Sequence, residues 1–193
     1  QQVDYHGWQA AWRVSNGDVD LVLVPQIGRI MRYGPVGGAN VLWENPALLG
    51  RTVDIEPPPR EWTNLGGDKL WLAPQDRCWP PDPYLDPGRV EVTPLADGLR
   101  CVGLVSVTRS VRFIREIHMA PHGSAVTMVN TLVNEGDATV EWSIWQVTQV
   151  ADPDFVELPR RPSASFAGGF RSISERAETR VRQSRGILVA PRD

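Results

Sequence analysis

The sequence predicts an all-β protein built as an antiparallel β-sandwich, and three observations carry that prediction. Short apolar runs recur along the chain, and most are joined by turns of a few residues, too short for helical crossovers. Proline and glycine number 17 each among 193 residues, too many inside elements for a mostly helical protein. A hydrophobic content of 41% with a net charge of only −3 supports a packed core and excludes general disorder. The length fits a single domain over residues 1–193. No run approaches the ~18 apolar residues of a membrane helix, and the charge balance gives no reason to expect a nucleic-acid partner.

The elements follow in order. Residues 9–15, 18–25 and 28–33 are apolar runs separated by Asn16-Gly17 and Pro25-Gln26-Ile27-Gly28. Residues 39–44 read as a further strand. Residues 89–95 and 98–107 flank Ala96-Asp97-Gly98, a hairpin signature, and the second run is apolar on both faces, as in a central strand. Three longer strands are expected at 110–120, 124–134 and 138–150, joined by short turns as a meander. In the last of these, Ala138, Val140, Trp142 and Ile144 share a face, then the apolar set shifts to Trp145 and Val147. That shift fits either a β-bulge near Ile144-Trp145 or a central strand apolar on both faces.

Two stretches break the pattern. Residues 45–88 hold most of the prolines with little periodicity, and a loop of that length suggests an ordered excursion that builds a site. Residues 160–193 carry eight arginines against three acids, and only 186–190 reads as a strand there. Residues 172–184 fit a short helix or no element. This tail is expected to be the least stably packed part, and it marks either a basic edge over the sheet or a domain truncated at its C-terminus. Gln1-Gln2 without a methionine fits an exported, processed chain, periplasmic or extracellular, and equally a trimmed one. Cys78 and Cys101 allow one disulfide at most and have no zinc spacing.

Lys69 is the only lysine against 19 arginines. Where guanidinium has replaced ammonium nearly everywhere, the lysine that remains points to a site needing a compact cation with three donors. It lies in residues 62–75 (WTNLGGDKLWLAPQ), with residues 78–83 (CWPPDP) just beyond. A sugar offers hydroxyls around a weakly apolar C–H face, so its site needs flat aromatic surfaces and a few fixed polar groups. Trp62, Trp71 and Trp79 supply indoles, and Asn64, Asp68, Lys69 and Gln75 supply polar groups. Gly66-Gly67 permits close backbone approach. The alternation of Lys69 and Trp71 with Leu70 and Leu72 puts Lys69 and Trp71 on one face of a strand. The same tryptophans could instead be core, and Asn64 and Asp68 could cap turns.

Together with residues 24–30 (VPQIGRI, including Arg29) and 142–149 (WSIWQVTQ, including Trp145 and Gln149), this segment resembles an uncharacterised bacterial family of the galactose mutarotase-like superfamily. The resemblance covers roughly residues 10–150. It implies one large antiparallel β-supersandwich that binds carbohydrate in a cleft on one face. In mutarotases a histidine on a mid-chain strand and a late glutamate supply the general acid and base that hemiacetal opening needs. His118 is the histidine candidate, and Glu116, two residues earlier on the same strand face, is its possible partner. The competing reading makes Arg112, Ile114, Glu116 and His118 a solvated strand face. Glu175 and Glu178 sit in the irregular basic tail, so no late glutamate is expected in a convincing strand context, and the familiar histidine motifs of mutarotases are missing.

His118 and His122 have helical metal-pair spacing, but Pro121 and Gly123 make a turn there, so no metal site is expected. Asp82 and Asp86 lack calcium-loop spacing. There is no nucleophile elbow or phosphate loop, and no cofactor is expected. The expected ligand is a saccharide or sugar acid. Three roles remain open: an isomerase- or lyase-type enzyme, a non-catalytic binding module, and a diverged scaffold without activity.

Overall fold

The computed structural model describes residues 1–59, 61–159, 182–184 and 186–191. It is all-β, with 49% strand and 5% helix, and all its sheets are antiparallel. The chain forms two compact units, Gln1–Ala151 and Asp152–Asp193.

The first unit contains two sheets. One has six strands: β1 (Gln2–Tyr5), β2 (Trp8–Ser15), β3 (Val19–Val24), β4 (Arg29–Pro35), β5 (Asp68–Ala73) and β10 (Ser143–Thr148), in that spatial order. The other orders β6 (Val90–Pro94), β7 (Gly98–Gly103), β8 (Val111–Met119) and β9 (Val126–Asn134). Side chains alternate along each strand, so each sheet offers one apolar row to the other. Leu21, Leu23 and Ile30 of the six-stranded sheet meet Leu99, Cys101, Ile117 and Met119 of the four-stranded sheet. Further along, Leu70 and Leu72 meet Val111 and Phe113. The six-stranded sheet is also covered on its outer face. There Trp8, Val22, Val24 and Met31 pack with Leu48, Leu49, Val53 and Leu65 of the 45–88 excursion. This double cover explains why every residue of β3 is buried.

Several expected elements differ. Residues 39–44 make no strand. The Asn40 side chain accepts from Tyr33 N and Leu42 N, replacing ladder partners, and only the isolated bridges Leu42↔Val150 and Glu44↔Gly66 form. β7 stops at Gly103, and a turn follows in which Ser106 N donates to Val111 O and Ser110 N to Ser106 O. The meander ends at β9: β10 is shorter than expected and pairs with β5 across the sandwich. There is no bulge at Ile144-Trp145, because the register runs unshifted from Ser143↔Ala73 to Thr148↔Asp68, and β10 is an edge strand rather than a central one. The apolar set changes face because both faces have partners. Ile144 packs between the sheets, while Trp145 stands against Trp71 outside them. Register irregularities lie instead at Val3/Tyr5 and Val22/Leu23.

Cys78 and Cys101 are both free and buried. Burial pushes the Cys101 thiol up to about 12 and raises that of Cys78 as well.

The second unit contains a three-stranded antiparallel sheet of β11 (Phe155–Pro159), β13 (Ile187–Pro191) and β12 (Arg182–Ser184), in that order. β13 falls where the sequence places its one late strand, while β12 is a strand where a short helix or nothing was expected. The expectation of loose packing in the tail falls largely outside the described residues.

Candidate functional site

Strand β5 sorts the central motif onto two faces. Leu70 and Leu72 point into the sandwich, and Asp68 goes with them. Asp68 is buried and accepts from Arg115 of β8, from Gln146 Nε2 at 3.0 Å and from Thr148 Oγ1 at 2.5 Å. It therefore holds the two sheets together and is turned away from Lys69. Lys69 and Trp71 share the outer face, as the alternation predicts. Trp145, directly opposite Trp71 in the ladder, stands beside it at 5.4 Å between ring centroids.

The excursion brings the other indoles to this face. Trp62 lies 5.2 Å from Trp71 and 5.9 Å from Trp79, and Trp79 lies 5.8 Å from Trp71. Trp71 is buried, Trp62 and Trp145 are half-buried, and Trp79 is 52% exposed. Gln75 lines the same small gap as Trp71 and Trp79. The rings pack on one another mostly edge to face, the arrangement their quadrupoles favour.

Asp86 organises the group. Its carboxylate accepts from Arg29 Nε at 2.8 Å, Arg29 Nη2 at 3.0 Å, Trp71 Nε1 at 2.6 Å and Trp62 Nε1 at 3.2 Å. Arg29, expected at the ligand, is 0% exposed and also donates Nη1 to Gly66 O at 2.8 Å. Its role in the folded chain is to hold Asp86 and the excursion.

Lys69 is 1% exposed. Its ammonium donates to Gln149 Oε1 and lies 5.7 Å from the Trp62 and Trp71 ring centroids. Burial and the Arg29 guanidinium push the ammonium down to about 8, against the pull of Asp86 and Asp68.

Gly66 and Gly67 make the close approach their sequence suggests. A Cβ on Gly66 would sit 2.3 Å from Trp43 O, and one on Gly67 would sit 2.4 Å from Ile30 O, both at positive φ. Gly66→Ala is expected to destabilise the protein by about 2–3 kcal/mol, measured by urea denaturation. A value under ~0.5 kcal/mol would show that the segment yields easily. Asn64 is half-buried on the same arm and its Oδ1 has no hydrogen-bond partner.

His118 and Glu116 lie elsewhere. On β8 the residues alternate buried and half-buried, and both belong to the outward row of the four-stranded sheet. His118 Nδ1 lies 3.0 Å from Asp97, and Glu116 lies 3.3 Å from Arg100, so they pair with neighbouring loop and strand residues and not with each other. The solvated-face reading describes them. Among the described residues no group of three His, Cys, Asp or Glu is placed to hold a metal.

Sequence reasoning missed two features. The first is the role of Asp86 as hub, since nothing local marks one acid of the proline-rich excursion. The second is a cluster at the other end of the same sheet face. Glu44 accepts from Asn40 Nδ2 at 2.9 Å and lies 3.9 Å from His6 Nε2, while its Oε1 is buried without a partner. Burial and Glu44 raise the Tyr5 hydroxyl well above the usual phenol range.

The indoles do not frame an open cleft. The gap beside Trp71 and Trp79 measures ≈10 Å³, and a second of ≈30 Å³, lined by Lys69, Leu70, Asp86, Phe113 and Arg115, touches none of the indoles. A groove of ≈570 Å³ lies elsewhere, between Trp12 of β2 and the Leu95–Gly98 turn.

Fold and site together define an antiparallel β-sandwich protein with a tryptophan-framed buried ammonium on the outer face of its larger sheet. Comparison with known proteins adds nothing to this: no family model, no curated protein and no solved structure matches the chain.

Proposed function

We propose that the protein binds carbohydrate on the outer face of the six-stranded sheet, at Trp62, Trp79 and Trp145 around the Lys69–Gln149 pair. The observation that carries this reading is the joint placement of three partly exposed indoles, a buried lysine and its half-buried glutamine partner on one sheet face. Indoles stack on sugar C–H faces, while Lys69 and Gln149 supply fixed polar groups. The resemblance of residues 62–75 to a mutarotase-like family supports the same ligand class. Trp62 and Trp79 ride on the excursion, so a sugar enters by displacing them from each other and from Trp71.

Binding without catalysis is the form the geometry favours, because His118 and Glu116 stand on the outer face of the other sheet. An isomerase or lyase role would need different acid–base groups. Tyr5, His6 and Glu44 form one such cluster on this sheet face, apart from the indoles.

The test is tryptophan fluorescence during titration with a panel of mono- and oligosaccharides. Wild type is expected to show saturable quenching or a spectral shift. Trp79→Ala should weaken binding about tenfold, the loss of one stacking platform, with an unchanged melt because the ring is half-exposed. His118→Ala should leave binding intact. No response of wild type to any saccharide would refute the reading.

A further inference from the structure

We propose that the sugar bound here is acidic and that its carboxylate sits on Lys69 Nζ. This rests on the saccharide reading above and narrows it to a ligand class. Lys69 is 1% exposed, so its charge and its donors must be matched within the fold. Three cations meet in this part of the fold: Arg29, Lys69 and Arg115. Among the described residues two carboxylates face them, and both are taken. Asp86 is bound on both oxygens by Arg29 and additionally by two indole N–H groups. Asp68 is bound by Arg115, Gln146 and Thr148 on the far side of β5. One positive charge is left over, and it is the Lys69 ammonium.

The donors tell the same story. An ammonium has three N–H groups, and among the described residues Lys69 finds one acceptor, Gln149 Oε1. Two donors are left on a side chain that is 99% buried by its 1% exposure. Buried charge without a counter-ion is costly, and protein interiors avoid it unless it serves a ligand. A monoanion with two acceptor oxygens closes both deficits at once. The Trp62 and Trp71 rings, each 5.7 Å from Nζ and in edge-to-face contact with each other, must part to admit that anion. Gln149 fixes the third N–H and so aims the other two. Burial and the Arg29 charge lower the proton affinity of Lys69, in keeping with a cation that has no carboxylate bound to it.

The experiment titrates full-length protein at pH 7 with galacturonate and glucuronate, their neutral parents galactose and glucose, a 6-sulfated galactose, and acetate. Fluorescence reports binding, and a melt reports folding. The uronates are expected to bind at least about tenfold more tightly than the neutral sugars, the effect of one charge-assisted contact in a dry site. The preference should shrink to about twofold or less in Lys69→Met. In wild type it should also fade between pH 7 and 10 as the ammonium loses its proton. That pH series decides the matter if Lys69→Met does not fold. Equal affinity for uronates and neutral sugars overturns the carboxylate assignment and leaves the saccharide reading standing, as does tighter binding of the sulfated sugar. A preference that persists in Lys69→Met overturns it too. Acetate binding as tightly as the uronates overturns the saccharide reading itself, and so does the absence of any binding.

Discussion

Asp86→Ala lowers the melting temperature by roughly 6–20 °C, the shift expected of a ~3–5 kcal/mol loss in a chain of this length. The size follows from what is stranded. Arg29 is 0% exposed and Asp86 is 3% exposed, so removing the carboxylate leaves a guanidinium charged, buried and unpaired. The indole N–H groups of Trp62 and Trp71 lose their acceptor in the same step. Each buried donor left without a partner costs about 1–3 kcal/mol, and local opening to admit water recovers part of that. Because Asp86 ties the excursion to β4 and β5, the variant should also expose the aromatic group, seen as a red-shifted tryptophan emission. A melt within ~2 °C of wild type would show that Arg29 reaches solvent or another acceptor at little cost.

Lys69→Met has the opposite sign: it should stabilise the fold at pH 7 while removing most of the preference for uronates over neutral sugars. The native ammonium is pushed from the ordinary 10.5 down to about 8, so the folded state holds its proton less tightly than the unfolded chain does. The charged lysine therefore costs stability in full below pH 8. The cost declines between pH 8 and 10.5 and vanishes above, where both states are neutral. A shift of that size corresponds to about 3 kcal/mol as an upper bound. Methionine fills a similar volume without charge, so the variant should exceed wild type by about 1–3 kcal/mol at pH 7, with the gap closing toward pH 10.5. Tyr5, Cys78 and Cys101 have raised values and move stability the other way at high pH. They do so equally in both proteins, so the difference isolates Lys69. A variant less stable than wild type at pH 7 would mean that Lys69 is a structural cation. Stability lost to keep a charge in place is the signature of a group retained for binding.

The sandwich was legible where sequence and structure use the same local signal. Turn residues and period-two runs locate β2, β3, β4, β6, β7, β8 and β9 to within a few residues. What local pattern does not carry is partner choice. The run ending at Val150 follows β9 through a short turn, yet β10 leaves that sheet because Ile144 and Trp145 each find apolar partners only astride β5. The site divides in the same way. Lys69, Trp62, Trp71, Trp79, Trp145 and Gln149 converge as the motif suggests, since one lysine among 19 arginines is a compositional signal that survives without a structure. Asp68 reads as a site acid but faces inward, because adjacent strand residues point to opposite faces. Arg29 reads as a ligand contact but is enclosed by Asp86, which is 57 residues away in sequence. His118 and Glu116 share a strand face as their spacing requires, and only the sheet's position shows that this face is the solvated one.

The central claim is that ligand binds on the outer face of the six-stranded sheet, and a crystal structure of the protein soaked with a mixture of neutral sugars and uronic acids tests it most directly. The account predicts a sugar ring against Trp79 or Trp62, its carboxylate within ~3 Å of Lys69 Nζ, and the indole cluster opened to admit it. Sugar density confined to the groove beside Trp12, with the cluster closed over Lys69, would contradict it.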